Sequence, residues 1–225
     1  YSSKYGLIYG AMTADWGDVQ QGDGFACDMN EKSTPAIDVY DNAMLIIALR
    51  DLEKVVSDKQ YTKRWSKLRK SLAKNVRRHL WDSKRQKFIP HIYLDKSPIP
   101  ADFDESAVHY HGGTAVAIEA GLLSKKEIKA VNAQMLENVK QSGMPSIGLT
   151  LYPPYPKGFF GGGTGEAYVY QNGGDWTWFG ARMIQQLVAH GMVEEAYDEL
   201  RPMIDRVIKN KGFYEWYGKG NVPSG

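Results

Sequence analysis

The feature that most constrains the fold is a recurring pair of helical segments that end at glycines. Gly121 and Gly191 each end a first helix and lie about 70 residues apart, as do Gly143 and Gly212, which end second helices. Glycine is the residue that most often follows a helix C-terminus. Two helices joined by a short turn form an αα-hairpin. The sequence therefore predicts stacked helical hairpins rather than a core built on a large sheet.

Six helical segments follow from apolar residues that recur every three to four positions. The predicted hairpins are 37–57 with 58–81, 113–121 with 124–142, and 175–190 with 194–210. Asp58 is a predicted N-cap, and Ser124 with Glu127 forms a capping box. Gly-Gly pairs at 112–113 and 173–174 precede the first helices of the later hairpins. These first helices are more apolar than the second ones, which predicts an inner and an outer layer.

The predicted fold class is all-α, a toroid of αα-hairpins. The first 35 residues are predicted to be loop, and residues 86–94 to supply a short β-hairpin strand in a connecting loop. A length of 225 residues suits a single domain over 1–225. Three hairpins make about half of a six-hairpin ring. We therefore expect a partial barrel, incomplete on its N-terminal side, that pairs with the remainder of its barrel or with a second copy.

Composition excludes several functions. A net charge of +2 is too small for a nucleic-acid or membrane-surface protein, and the basic stretch 63–78 is a solvated helix face. No apolar run has the roughly 20 residues of a membrane span. The single Cys27 rules out an internal disulfide framework; it does not decide the compartment, for which we favour a periplasmic or secreted location. The glycine-rich run 161–165 lacks the end of a phosphate loop, so no cofactor is predicted.

Aromatic residues gather in loops that are also rich in Gly and Pro. Aromatic rings among amides and carboxylates suit sugars, because C–H faces stack on rings while hydroxyls form hydrogen bonds. Cleavage of a glycosidic bond needs two carboxyl groups, one to protonate the leaving oxygen and one to activate water or attack carbon. Three segments combine these residue types, namely 13–18, 170–178 and 212–218.

In their order along the chain, these segments resemble the six-hairpin glycosidases, (α/α)6-barrel enzymes that include glycoside hydrolase family 63, trehalases and rhamnosidases. Residues 170–178 resemble the Asn-Gly-x-x-Trp entry to an inner helix, and residues 213–225 the loop that carries the general base. Asp-Trp-Gly-Asp at 15–18 is similar to the acid loop, although the Asp-Tyr-Pro-Arg form is absent. Residues 36–43 are similar to an Asp-x-Asn-Ala helix start, and the similarity spans most of 5–225.

This resemblance implies an inverting glycoside hydrolase. Asp15 or Asp18 would be the general acid, and Glu215 the general base acting through water. The aromatic residues of 213–217 are expected to desolvate Glu215 and raise its pKa. The predicted substrate-binding residues are Trp16, Asp41, Asn42, His109, His111, Tyr170, Gln171, Asn172, Asp175, Trp176 and Trp216.

Several of these residues have plainer interpretations. Asp15 or Asp18 could cap a turn, as loop aspartates often do. Asp175 could be the N-cap of the following helix rather than a sugar ligand. Trp176 and Trp178 could belong to the core, and Trp178 is the better core candidate of the two.

His109 and His111 leave two further alternatives open. Their alternation could direct both imidazoles to one side, but no third zinc ligand is evident, so hydrogen bonding to sugar hydroxyls is predicted instead of metal binding. The same pair could exchange protons in an epimerase or isomerase of free sugars. A third possible function is a non-catalytic carbohydrate-binding protein. In each case we expect four loops to converge at one end of the helices, at 13–18, 109–114, 168–178 and 213–217.

Overall fold

The computed structural model describes residues 1–21, 24–25, 29–161 and 165–225, so Cys27 and much of the 161–165 run lie outside the described residues. The fold is mostly helical, as predicted. The helices in this part of the chain are α1 (Val39–Val55), α2 (Lys59–His79), α3 (His111–Glu119), α4 (Lys125–Ser142), α5 (Thr177–Ala189) and α6 (Val193–Asn210).

Local capping explains where several helices begin and end. The Asp38 carboxylate accepts a hydrogen bond from the Asp41 N–H at 2.8 Å and caps α1. Asp58 caps α2, and Ser124 with Glu127 forms the reciprocal capping box of α4, both as predicted. Gly143 ends α4 with φ 69°, a left-handed conformation that costs glycine little.

One helix start differs from the prediction. α3 begins at His111, so Gly112 and Gly113 form its first turn instead of preceding it. Glycine is a poor helix former, and local propensity therefore favours a later start. The two glycines are retained in the helix because a carboxylate from another loop packs against them, as described below.

The helices form two layers. α3 lies between α1 and α5 and contacts both, while α2 packs on α1 and α6 on α5. Residues 111–118 of α3 are buried throughout, as expected for an inner helix. In the outer layer, Arg77 of α2 bonds to Glu127 of α4 at 2.7 Å, and Asn132 of α4 donates to Glu199 of α6 at 2.7 Å. The inner and outer layers predicted from helix polarity are therefore present.

Short strands connect the helices. Their bounds are β1 (Gly10–Ala11), β2 (Val19–Gln20), β3 (Gly24–Phe25), β4 (Pro35–Ile37), β5 (Trp81–Asp82), β6 (Lys87–Phe88), β7 (Ile92–Tyr93), β8 (His109–Tyr110), β9 (Leu151–Tyr152), β10 (Trp216–Gly218) and β11 (Val222–Ser224). All pairings are antiparallel, in the order β1-β4-β7, with two-stranded pairs β2-β3, β5-β6, β8-β9 and β10-β11.

Two loop predictions need correction. The first 35 residues contain strands β1 to β3 and the start of β4, rather than loop alone. Residues 86–94 do not form one strand: β6 completes a hairpin with β5, whereas β7 joins the three-stranded sheet. Pro90 lies between them and has no N–H with which to continue a ladder.

A second apolar cluster lies among the loops, separate from the helical core. Tyr110, Tyr155, Phe159 and Phe160 belong to it and are almost fully buried, so part of the loop aromatic content is packing. None of the helices in the described part of the chain is long and apolar enough to cross a membrane.

Candidate active site

Asp15 lies against the amino end of α3. Its Oδ1 accepts a hydrogen bond from the Gly113 N–H at 2.9 Å, while the N-cap position, Tyr110, provides no side-chain cap. A distant loop thus supplies the acceptor that a local cap normally provides. A Cβ at Gly112 or Gly113 would lie 2.7 Å from a carboxylate oxygen of Asp15. Glycine is therefore needed at both positions for the Asp15 carboxylate to lie this close to the helix backbone.

Asp15 is enclosed as well as bonded. Its side chain is 1% exposed, and burial raises the pKa of its carboxyl from 3.8 to about 8, although the Gly113 and Gly112 N–H groups act in the opposite direction. Burial also raises the pKa of Asp38, and the carboxyls of Asp41 and Asp15 raise it further. Asp15 therefore holds a proton near neutral pH but reaches no open surface in this conformation.

Asp18 has a different environment. Its Oδ1 accepts a hydrogen bond from Gln171 Nε2 at 2.8 Å, and its Oδ2 accepts one from the Tyr170 hydroxyl at 3.2 Å. The residue is only partly buried. Tyr170 and Gln171, predicted to bind substrate, thus orient a carboxylate that remains accessible.

Aromatic rings join the loop 13–18 to the start of α5. The Trp16 ring lies 4.8 Å from that of Trp176 and 5.1 Å from that of Trp178, measured between centroids. Tyr170 lies 5.0 Å from Trp176 and 6.2 Å from Trp216. These contacts, with those of Asp15 and Asp18, bring the four predicted loops together at one end of the inner helices.

The burial of the two tryptophans at the start of α5 is reversed relative to the prediction. Trp176 is 3% exposed and donates its indole N–H to the Tyr170 carbonyl at 3.0 Å, whereas Trp178 is 39% exposed. Trp178 stacks on Phe179, with centroids 3.8 Å apart. Because α5 begins only at Thr177, the turn of the chain before the helix directs Trp176 inward.

Glu215 lies just before the β10–β11 hairpin and is exposed. Gly225 packs against its side chain. Among the described residues 213–217, the aromatic side chains do not enclose Glu215, because Phe213 is exposed and Tyr217 is turned inward. The prediction that aromatic neighbours desolvate Glu215 is therefore wrong for this chain.

Asp175 is neither an N-cap nor an open ligand. Trp176 occupies the N-cap position of α5, and the Asp175 side chain is fully buried. Its Oδ1 lies 2.8 Å from Nη1 of Arg206 on α6, and the Ser146 hydroxyl donates to both carboxylate oxygens. The N-cap interpretation is wrong because the carboxylate turns away from the helix start toward Arg206.

Two predicted sugar ligands instead bind backbone. Asn42 is fully buried; its amide accepts from the Ile8 N–H and donates to the Ile8 and Asp38 carbonyls. Asn172 is also fully buried and exchanges hydrogen bonds with the backbone of Tyr155. Their amides hold loops in place. Asp41 stays partly exposed in the first turn of α1, where burial raises the pKa of its carboxyl.

The histidines face the outer layer. His111 is buried and its Nε2 lies 2.9 Å from the Asn138 amide of α4, while His109 lines a cavity of about 450 Å³ with Arg85 and Lys87. Burial lowers the pKa of His109 to about 4 and that of His111 to about 3. Both imidazoles are therefore neutral at physiological pH, a state that does not favour the proton-exchange alternative.

Two residues at this end were missed by the sequence analysis. Asp38 caps α1 and interacts with Asp15, and an aspartate directly before an apolar periodic segment is a signal that could have found it. Tyr40 is partly exposed, and its ring lies 6.3 Å from Phe179. Nothing local indicates which way a side chain in the first helical turn points, so Tyr40 could be found only from the packing.

The amino ends of α1, α3 and α5 thus meet beneath an aromatic surface. Helix amino ends carry partial positive charge, which favours the nearby carboxylates. Within the described ranges, no group of three His, Cys, Asp or Glu side chains could hold a metal ion. Asp18 is partly exposed and Glu215 is exposed, so both carboxylates are accessible at this end.

Comparisons with known proteins relate the fold of this chain to that of solved structures. No protein-family model and no curated protein sequence matches the chain. Solved structures do. A glycoside hydrolase family 63 mannosylglycerate hydrolase from Thermus thermophilus, in complex with glucose, matches with a TM-score of 0.63 and 17% identity, over 85% of this chain and 42% of that one.

Two further structures agree. The same enzyme in complex with Tris and D-glycerate gives identical values. A family 78 rhamnosidase of Bacillus sp. GL1 matches with a TM-score of 0.58 and 16% identity, over 96% of this chain and 18% of that chain. The chain therefore spans less than half the length of these proteins. At such low identity, the similarity establishes a shared helical fold and nothing more.

Proposed function

We propose that this chain belongs to an inverting glycoside hydrolase in which Glu215 is the general base and Asp18 the general acid. One observation carries the proposal. The loops bearing these two carboxylates are joined by Tyr170, which bonds to Asp18 and lies 6.2 Å from the Trp216 ring beside Glu215. The fold shared with two glycoside hydrolases supports the same class of reaction.

Accessibility supports Asp18 over Asp15 as the acid. A general acid must come within hydrogen-bond reach of the leaving oxygen. Asp18 is partly exposed, whereas Asp15 is enclosed against α3. Asp15 then supports the loop that carries Asp18 from its buried side, through the hydrogen bond from the Gly113 N–H.

The open position of Glu215 supports inversion. In that mechanism the base deprotonates a water that attacks the anomeric carbon, and this water needs room between the carboxylate and the sugar. The two carboxyl groups would then flank the sugar at roughly 6.5–9.5 Å, against about 5–5.5 Å for retention. Partly exposed Trp16, Trp178 and Trp216 supply ring faces on which a sugar can stack.

Exposed apolar side chains support the proposal that another part of a barrel or a second copy packs against this chain. Leu52 and Val55 near the end of α1, and Val188 on α5, are all more than one third exposed. The remainder of a barrel or a second copy would bury such side chains. Light scattering of the purified protein tests this, because a compact monomer with no further chain would contradict it.

A panel of aryl glycosides, with proton NMR of the released sugar, tests the catalytic proposal. We expect hydrolysis of at least one glycoside, with the first-formed anomer opposite to that of the substrate. Retention of configuration would contradict inversion. Interconversion of free sugars without glycoside cleavage would indicate the epimerase, and binding without turnover would indicate a carbohydrate-binding protein.

A further inference from the structure

A buried ion pair lies behind the loop that carries Glu215. Arg206 is on the outer helix α6, and its Nη1 is 2.8 Å from Asp175 Oδ1, with both side chains fully buried. Its Nη2 donates to the Thr177 hydroxyl at 2.9 Å, and Ser146 donates to the Asp175 carboxylate at 2.7 and 2.9 Å. Two charges removed from water are tolerated only with such additional partners. The pair thus joins α6 to the start of α5.

The same guanidinium contacts the base loop. Its Cζ lies 4.0 Å from the centroid of the Tyr217 ring, which is fully buried. The backbones of Tyr217 and Asp175 exchange hydrogen bonds: the Asp175 N–H donates at 2.9 Å and the Tyr217 N–H at 2.8 Å. Tyr217 is therefore held by its ring, its N–H and its carbonyl, all against the Asp175–Arg206 pair.

Glu215 depends on this attachment. It is exposed and lies two residues before Tyr217, at the start of the β10–β11 hairpin. Because aromatic neighbours do not enclose it, its direction is set by the backbone that carries it. That backbone is fixed where Tyr217 meets Asp175 and Arg206. The guanidinium of this anchor comes from the outer helix α6.

We infer that Arg206 is a positioning residue, which holds Tyr217 by a cation–π contact and through it sets the place of Glu215. The part that concerns Glu215 rests on the proposed function. A lysine at 206 would keep the charge beside Asp175 but lacks the planar group that lies flat on an aromatic ring. Arg206→Lys therefore removes the flat ring contact and the Nη2 hydrogen bond to Thr177, while a positive charge stays beside Asp175.

Hydrogen exchange of backbone amides tests the anchor without any substrate. In Arg206→Lys we expect the Tyr217 amide to exchange about tenfold faster or more, while amides of α5 keep their protection. Arg201→Lys is the matched control, since Arg201 is exposed on the same helix. Unchanged exchange at Tyr217 in Arg206→Lys would overturn the inference.

A second pair of variants keeps the test valid if Arg206 variants fold poorly. Tyr217→Leu removes the ring and leaves the ion pair intact, so faster exchange at residue 217 is expected. Tyr217→Phe keeps the ring and should exchange like the wild type within about twofold. Equal exchange in the Leu and Phe variants would show that the ring contact holds nothing.

The kinetic arm separates positioning from simple structural support. In Arg206→Lys we expect kcat to fall by about 10- to 100-fold with KM little changed, because the base is displaced while the sugar surface remains. Faster exchange with unchanged kcat would contradict a positioning role. If the wild type cleaves no glycoside, the proposed function fails, and the exchange measurements still decide whether Arg206 holds the loop.

Discussion

The loop with the proposed acid (13–18, the acid loop) and the loop with the proposed base (213–217, the base loop) are built in opposite ways. In the acid loop, the carboxylates themselves are held: Asp15 by the Gly113 N–H, and Asp18 by Gln171 and Tyr170. In the base loop, Glu215 is exposed, and the contacts lie behind it at Tyr217. One loop makes hydrogen bonds at its carboxylates, and the other is held through its backbone and the Tyr217 ring.

Under the proposed function, this difference suits the different tasks of the two carboxylates. A general acid must deliver a proton along one direction, so direct hydrogen bonds to its carboxylate are useful. A base that acts through water needs space in front of the carboxylate, and support from behind leaves that space free. The two loops are therefore expected to respond differently to substitution.

The largest effect is expected at Glu215. Glu215→Gln keeps the shape of the side chain but cannot accept a proton, so turnover should fall by roughly 10²–10⁴-fold with little loss of sugar binding. Steady-state kinetics and calorimetric binding measure the two quantities. Glu194→Gln, at an exposed glutamate of α6, is the control. Undiminished turnover in Glu215→Gln would remove the base assignment.

Substrates with poor and good leaving groups distinguish Asp18 from Asp15 as the general acid. Asp18→Asn should slow a substrate with a poor leaving group by roughly 10²–10⁴-fold, because that oxygen needs a proton. A dinitrophenyl glycoside needs none, so its cleavage should be largely retained. Asp15→Asn should affect both substrates equally, through loop geometry. If only Asp15→Asn shows the dependence on leaving group, the acid is Asp15.

A smaller effect is expected where Asp15 meets α3. In Gly113→Ala the new methyl group would lie 2.7 Å from Asp15 Oδ1 and 2.7 Å from Val39 Cγ1. Such overpacking should lower the free energy of unfolding by about 1–3 kcal/mol, measured by urea denaturation. Gly212→Ala, whose nearest atom would be 3.8 Å away, should change it by less than about 0.5 kcal/mol. Equal changes in the free energy of unfolding for the two variants would mean that Asp15 is not packed tightly against Gly113.

The smallest effect concerns the proton on Asp15. Its pKa is about 8 in the folded chain, above the unfolded value of 3.8, so its stabilising contribution is complete below about pH 4 and is lost as the pH rises toward 8. Asp15→Asn imitates the protonated form. Relative to the wild type, its free energy of unfolding should therefore rise by about 1 kcal/mol between about pH 5 and about pH 6. Parallel pH curves would contradict a buried, protonated Asp15.

Much of the helical framework could be predicted because its signals are local. The Ser124–Glu127 capping box and the left-handed cap at Gly143 each involve residues only three positions apart along the chain. The convergence of the loops was also predictable, since each flanks a helix pair. The roles of Asp175 and Trp178 were not, because burial of a loop side chain depends on what packs over it.

The sequence by itself determined the hairpin repeat, the caps of α2 and α4 and the residue types of the four loops, since apolar periodicity and capping act over one or two helical turns. Tertiary structure alone decided which aspartate is enclosed, which carboxylate is open and which arginine contacts Tyr217. Gly113 and Asp15 are 98 positions apart, and Gln171 and Asp18 are 153 apart. Contacts at such separations form only when whole helices pack, so no local pattern encodes them.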